Sequence, residues 1–144
     1  LICGLPDTGK TYLTERIIKH IDNICWFNAD KVREMVNDWD FSDDGRLRQA
    51  YRMASKSGIL DFVAPKQEYR DIVEPTITIY MNTIKQSRYE DTNQVFEHPH
   101  YLDVDYTVNE WIDIKKLRKC LEDFNPGIED TLRFLREQFP KLVR

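Results

Sequence analysis

The chain has 144 residues, of which 25 are Asp or Glu and 21 Lys or Arg, a formal charge of −4. That length buries one core and reads as a single domain over 1–144, while the acidic balance provides no cationic footprint for duplex nucleic acid or an anionic membrane. No apolar run is long enough to span a bilayer and no leader pattern opens the chain, so a cytoplasmic location is expected.

Leu1-Ile2-Cys3 reads as a strand, short enough that the natural start is expected upstream. Gly4-Leu5-Pro6-Asp7-Thr8-Gly9-Lys10-Thr11 then matches the phosphate-loop pattern G-x-x-x-x-G-K-S/T in every defining position. Glycines let backbone amides converge on phosphate oxygens, and the helix that follows adds a positive dipole end. Lys10 can reach terminal phosphates, and Thr11 can ligate Mg²⁺. Tyr12 completes the expected ATP-binding set. Asp7 is the oddity of the loop. Asp tolerates left-handed backbone, and a carboxylate pointing outward costs little next to phosphate, so the loop is expected to work.

Leu13, Ile17 and Ile21 recur every four residues, the stripe of an amphipathic helix on a sheet. Ile24-Cys25-Trp26-Phe27 reads as a second strand buried on both faces. Asp30 follows its carboxyl end, either as a carboxylate for phosphoryl transfer or as the cap of a helix over Lys31 to Asn37. An acidic loop from Asn37 to Gly45 carries Trp39 and Phe41, and a helix with Leu47, Ala50, Tyr51 and Ala54 on one face comes next. Ile59 to Val63 reads as the third strand, with Asp61 as its lone polar residue and a candidate Walker-B carboxylate, and Ile77 to Met81 as the fourth. A short helix from Lys66 to Val73 lies between them.

The turn from Ser57-Gly58 into Ile59 leaves little connecting chain. Residues 85–100 are polar and weakly periodic, as suits a mobile lid, with Arg88 placed to reach ATP phosphates. His98-Pro99-His100 reads as a surface turn. Tyr106-Thr107-Val108 is the last strand, and the tail carries helical patterns over Ile112 to Leu121 and around Ile128, Leu132, Leu135 and Phe139. Strands alternating with helices predict an α/β fold, a three-layer αβα P-loop NTPase with a parallel sheet. Cys3, Cys25 and Cys120 show no metal or redox spacing, and buried free thiols are expected.

The phosphate loop, then Asn28-Ala29-Asp30-Lys31-Val32-Arg33, then Phe41-Ser42-Asp43-Asp44-Gly45-Arg46 resembles adenylylsulfate kinase, whose members carry DGDNxR and GFSxxDR segments. Phe62-Val63-Ala64-Pro65 resembles the family's Phe-Ile-Ser-Pro turn. The resemblance spans the first half of the chain, and beyond Met81 the family's lid pattern is absent. It implies ATP and Mg²⁺ as cofactors, Lys10 and Asp30 as catalytic residues, and transfer of the γ-phosphoryl group to the 3′-hydroxyl of adenylylsulfate, a step of sulfate activation. It also implies that Arg33, Phe41, Arg46, Gln49 and Val63, with Asp30, hold this small nucleotide-like substrate, and that the chain forms a homodimer. An aromatic plane suits a purine and guanidinium forks suit phosphosulfate. Asn28 and Ala29 stand where the family has Asp and Gly, Gln49 where it has Asn, and Ala64 where it has Ser. These departures bear on the acceptor rather than on ATP.

Asn28 to Arg33 also resembles the Asn-Arg-Asp-Asp-x-Arg segment of polynucleotide 5′-kinases, but single-strand binding favours a basic groove with stacking aromatics, and the arginines here are scattered. A nucleotide-binding domain without turnover is the non-enzymatic alternative.

Overall fold

The computed structural model describes residues 1–19, 21 and 23–111. The second-half helices expected around 112–121 and 128–139, and Cys120, lie outside the described residues. Among the described residues five strands form one parallel sheet: β1 (Ile2–Cys3), β2 (Trp26–Asn28), β3 (Ile59–Asp61), β4 (Ile79–Met81) and β5 (Tyr106–Val108), in the spatial order β2-β3-β1-β4-β5. The helices between them are α1 (Lys10–Ile17), α2 (Ala29–Val36), α3 (Asp43–Ala54), α4 (Gln67–Val73) and α5 (Glu90–Val95).

Alternation along the strands sorts the core into two layers. Ile2, Ile59 and Ile79 pack with Leu13 and Ile17 of α1 and with Ile21 on one face. Cys3, Leu60 and Tyr80 pack with Val32 of α2, Ala50 and Met53 of α3 and Tyr69 of α4 on the other. The fold is therefore α/β with helices on both faces of a parallel sheet, the expected class. The neighbouring strands β1 and β3 send their following helices to opposite faces, which opens a crevice beyond their carboxyl ends. Among the described residues no helix is long and apolar enough to cross a membrane.

Several local expectations change. The second strand is an edge strand, half-buried rather than covered on both faces, and Cys25 just before it is exposed. An apolar run does not reveal which strands flank it. The helix after it starts at Ala29, two residues early, because the Asn28 side chain accepts the Lys31 amide and caps it; Asp30 sits in the first turn and is not the cap. Helix α3 likewise begins inside the acidic loop, capped by Ser42 on the Gly45 amide.

The crossover into β3 is abrupt: Gly58 turns at φ 147°, and a Cβ there would lie 2.3 Å from the Cys25 carbonyl oxygen. The stretch 85–100 is not featureless either. It carries α5, and Arg46 and Arg70 fasten it to α3 and α4 through Asp91 and the Glu97 carbonyl.

Candidate active site

The loop after β1 takes its shape from three positive φ values, at Gly4, Asp7 (64°) and Gly9 (98°). Thr8 Oγ1 and Lys10 Nζ both donate to the Leu5 carbonyl at 2.8 Å, which curls the loop over itself. Among the described residues the amides of Asp7, Thr8, Gly9 and Lys10 meet no acceptor. Four unanswered donors at the start of a helix form an anion cradle. Lys10 is buried, and desolvation pulls its pKa down while the Asp61 carboxylate pushes it back up. An ammonium desolvated in this way gains most from a phosphate placed against it.

Thr11 points to the neighbouring strand. Its hydroxyl donates to Asp61 Oδ2 at 2.8 Å, and Asn28 Nδ2 donates to the same oxygen at 2.9 Å. Asp61, at the carboxyl end of β3 and buried, is thus the carboxylate in contact with Thr11, and Asp30 is not. A hydroxyl and one carboxylate beside a phosphate cradle fit Mg²⁺, which takes few protein ligands and completes its shell with phosphate oxygens and water. Among the described residues no cluster of three or more His, Cys, Asp or Glu forms a self-contained metal site.

One cavity of about 730 Å³ runs from this loop past Asp30 to Arg33, Phe41, Arg46 and Val63. Arg33 is only 4% exposed, and its Nη1 donates to the carbonyls of Asp38 and Asp40 at 2.9 and 3.1 Å. Its guanidinium lies 4.4 Å from the centre of the Phe41 ring. Burial pulls its pKa down, and no carboxylate among the described residues pairs with it. An arginine stays charged even so, which leaves a desolvated cation facing the cavity. Arg46 is committed differently, its Nε donating to the Phe41 carbonyl at 2.8 Å and its Nη2 pairing with Asp91 at 3.1 Å.

The structure therefore brings Lys10, Thr11, Tyr12, Asp30, Arg33, Phe41, Arg46, Val63 and Arg88 to one cavity. It does not bring Gln49 there. That residue is fully buried, donating to the Ala29 carbonyl and accepting from Arg52, so it fixes α3 against α2 and has no free group for a substrate. Leu5 and Thr8 lie buried beneath the loop. The Tyr12 ring is covered by the Arg16 guanidinium and meets Trp111 edge-on.

Sequence reasoning passed over Tyr89 and Trp39, which line the cavity, and the double role of Asn28 as helix cap and Asp61 partner. The only sequence signal for Tyr89 was an aromatic beside Arg88 in an otherwise polar stretch. His98 lies on the surface with Nδ1 2.7 Å from the Tyr80 hydroxyl, and burial pushes that phenol up to about 12. Compared with known proteins, the chain matches no protein-family model, no curated protein and no solved structure.

Proposed function

We propose that the chain is a P-loop kinase that transfers the γ-phosphoryl group of Mg·ATP to a hydroxyl of a small, anionic, nucleotide-like acceptor, with adenylylsulfate and its 3′-hydroxyl as first choice. The observation that carries this reading is that one cavity joins the Lys10–Thr11 phosphate cradle to a buried arginine that has no carboxylate partner among the described residues, with Asp30 in the same lining. The cradle suits a polyphosphate, and Arg33 with Phe41 and Tyr89 suits an anion attached to a flat ring.

In the reaction the acceptor oxygen attacks the γ-phosphorus, the bond from that phosphorus to the β–γ bridging oxygen breaks, and ADP leaves. Asp30 orients the hydroxyl and takes its proton. Lys10 stabilises charge on the transferring group, and Thr11 with Asp61 would hold Mg²⁺, which would supply further charge neutralisation to the phosphates.

Coupled ADP release with adenylylsulfate, set against a 5′-hydroxyl oligonucleotide, tests the reading. Turnover with adenylylsulfate is expected. Turnover with the oligonucleotide alone replaces the acceptor, and ATP binding without transfer to either acceptor favours a domain that binds nucleotide only.

A further inference from the structure

The acidic residue inside the phosphate loop has a partner. Asp7 Oδ2 lies 3.2 Å from Nε of Arg88, across the mouth of the cavity that both residues line. The pair is exposed, 53% for Asp7 and 71% for Arg88, so as a contribution to stability it is slight. Its geometry says more. The contact is an ion pair through Nε, and among the described residues the Arg88 guanidinium spends none of its N–H groups on a hydrogen bond. The guanidinium is also braced against the Tyr89 ring, 5.1 Å from its centre.

Both ends of the bridge are anchored. On the Arg88 side, Ser87 is clamped by Asn93 of α5, with its amide and hydroxyl donating to Asn93 Oδ1 at 2.9 and 2.8 Å and its carbonyl accepting from Asn93 Nδ2 at 2.8 Å. On the loop side, Thr83 Oγ1 donates to the Thr8 carbonyl at 2.7 Å, a second strut between the same two segments. Asp7 itself is fixed at φ 64° by the turn of the loop. An arginine paired to the loop at Nε, with its N–H groups unspent and lining the same cavity as the loop, is organised in advance for an anion.

We propose that Asp7 is a positioning residue: it holds Arg88 by Nε so that the Nη fork faces the phosphates of the nucleotide in the loop, and it stays bound while they bind. This inference rests on the reading of the loop as an ATP site. It predicts two opposed effects of Asp7 on the nucleotide: direct repulsion of phosphate, which Asp7 exerts alone, and placement of Arg88, which exists only when Arg88 is present.

The test is a double-mutant cycle on the full chain, reading the Kd of Mg·ATP by calorimetry for the wild type, Asp7→Gly, Arg88→Ala and the double variant. Glycine fits the positive φ at position 7 and both side chains are exposed, so folding is preserved. With Arg88 present, Asp7→Gly is expected to weaken Mg·ATP about threefold, and in the Arg88→Ala background to tighten it about twofold as repulsion is relieved.

Equal tightening in both backgrounds overturns the proposal by making Asp7 independent of Arg88. Stronger tightening with Arg88 present also overturns it, by making Asp7 a competitor that must release Arg88 before phosphate binds. A wild-type chain that does not bind Mg·ATP overturns the kinase reading and this inference with it, whereas binding with additive effects overturns this inference alone.

Discussion

The hydroxyl of Thr11, on the first turn of α1, donates to Asp61 Oδ2 at 2.8 Å although the two residues stand fifty positions apart in the chain. The contact ties the phosphate loop to the carboxyl end of β3 and sets a hydroxyl and a carboxylate side by side at the floor of the cavity. Asp61→Asn keeps the shape and an oxygen acceptor but removes the charge. We expect it to raise the Mg²⁺ concentration needed for half-maximal turnover and to lower kcat, each by roughly 10- to 100-fold. A magnesium titration of the kinase assay checks this, and an unchanged magnesium requirement would move the metal elsewhere.

Asp30 lines the same cavity from the first turn of α2 and makes no capping bond there, the Asn28 side chain having that task. The carboxylate is therefore free for the acceptor hydroxyl. Asp30→Asn should lower kcat by about 10²- to 10⁴-fold, the range for a general base. The KM for Mg·ATP should stay within a factor of about two, since the γ-phosphate is held by other groups. Steady-state kinetics against both substrates would show it, and a full kcat would take Asp30 out of the mechanism.

Arg33 supplies a planar cation that has no carboxylate partner among the described residues. Lysine keeps the charge but loses the fork and the flat contact with Phe41, so Arg33→Lys should raise the KM of the anionic acceptor by about tenfold or more and leave that of Mg·ATP nearly unchanged. The same change gives up hydrogen bonds to the Asp38 and Asp40 carbonyls, a loss of about 1 kcal/mol in stability to be read by denaturant titration. Equal effects on the two KM values would mean that Arg33 supports the fold rather than the acceptor.

The loop that carries Phe41 has its own dependence on pH. Hydrogen bonds from Ser42, and after them Arg48, hold Asp40 down at about 2, while Arg48 and the Asp40 amide hold Asp38 well below the usual carboxylate range. Both folded values are depressed. Their stabilising effect is thus complete above the unfolded value of about 3.9 and is lost as pH falls through the folded values. Carboxyl NMR should place the Asp40 midpoint near 2, and Arg48→Ala should shift it upward. A midpoint in the ordinary carboxylate range in the unmutated chain would show that the ion pairs do not hold in solution.

How much of this could be read beforehand depended on whether a feature is local. The loop from Gly4 to Thr11 is a spacing of eight residues, and its turn between β1 and α1 is local. The Leu13, Ile17 and Ile21 stripe also declares its sheet-facing side directly. What depends on strand order was not available: the Trp26-Phe27 run looked central and lies at an edge. Asp61 did give a signal, one carboxylate in an apolar strand, but its partner fifty residues away could not be read from any window. Gln49 failed for the opposite reason. A family pattern placed it at the substrate, whereas here the packing of α3 on α2 turns its amide inward. Helix α5 has six residues, too few for its periodicity to rise above a polar background.

Trp111 lies over the phosphate loop: a Cβ added to Gly9 would come within 2.5 Å of its ring, and Tyr12 meets the same ring edge-on. Trp39 lines the cavity, and the third tryptophan of the chain, Trp26, belongs to the edge strand β2. The molecule thus carries one indole reporter against the loop, one in the cavity lining and a third in the edge strand. Replacing Trp111 or Trp39 singly with phenylalanine separates the optical signal of filling the phosphate loop from that of filling the acceptor end, without attaching a label.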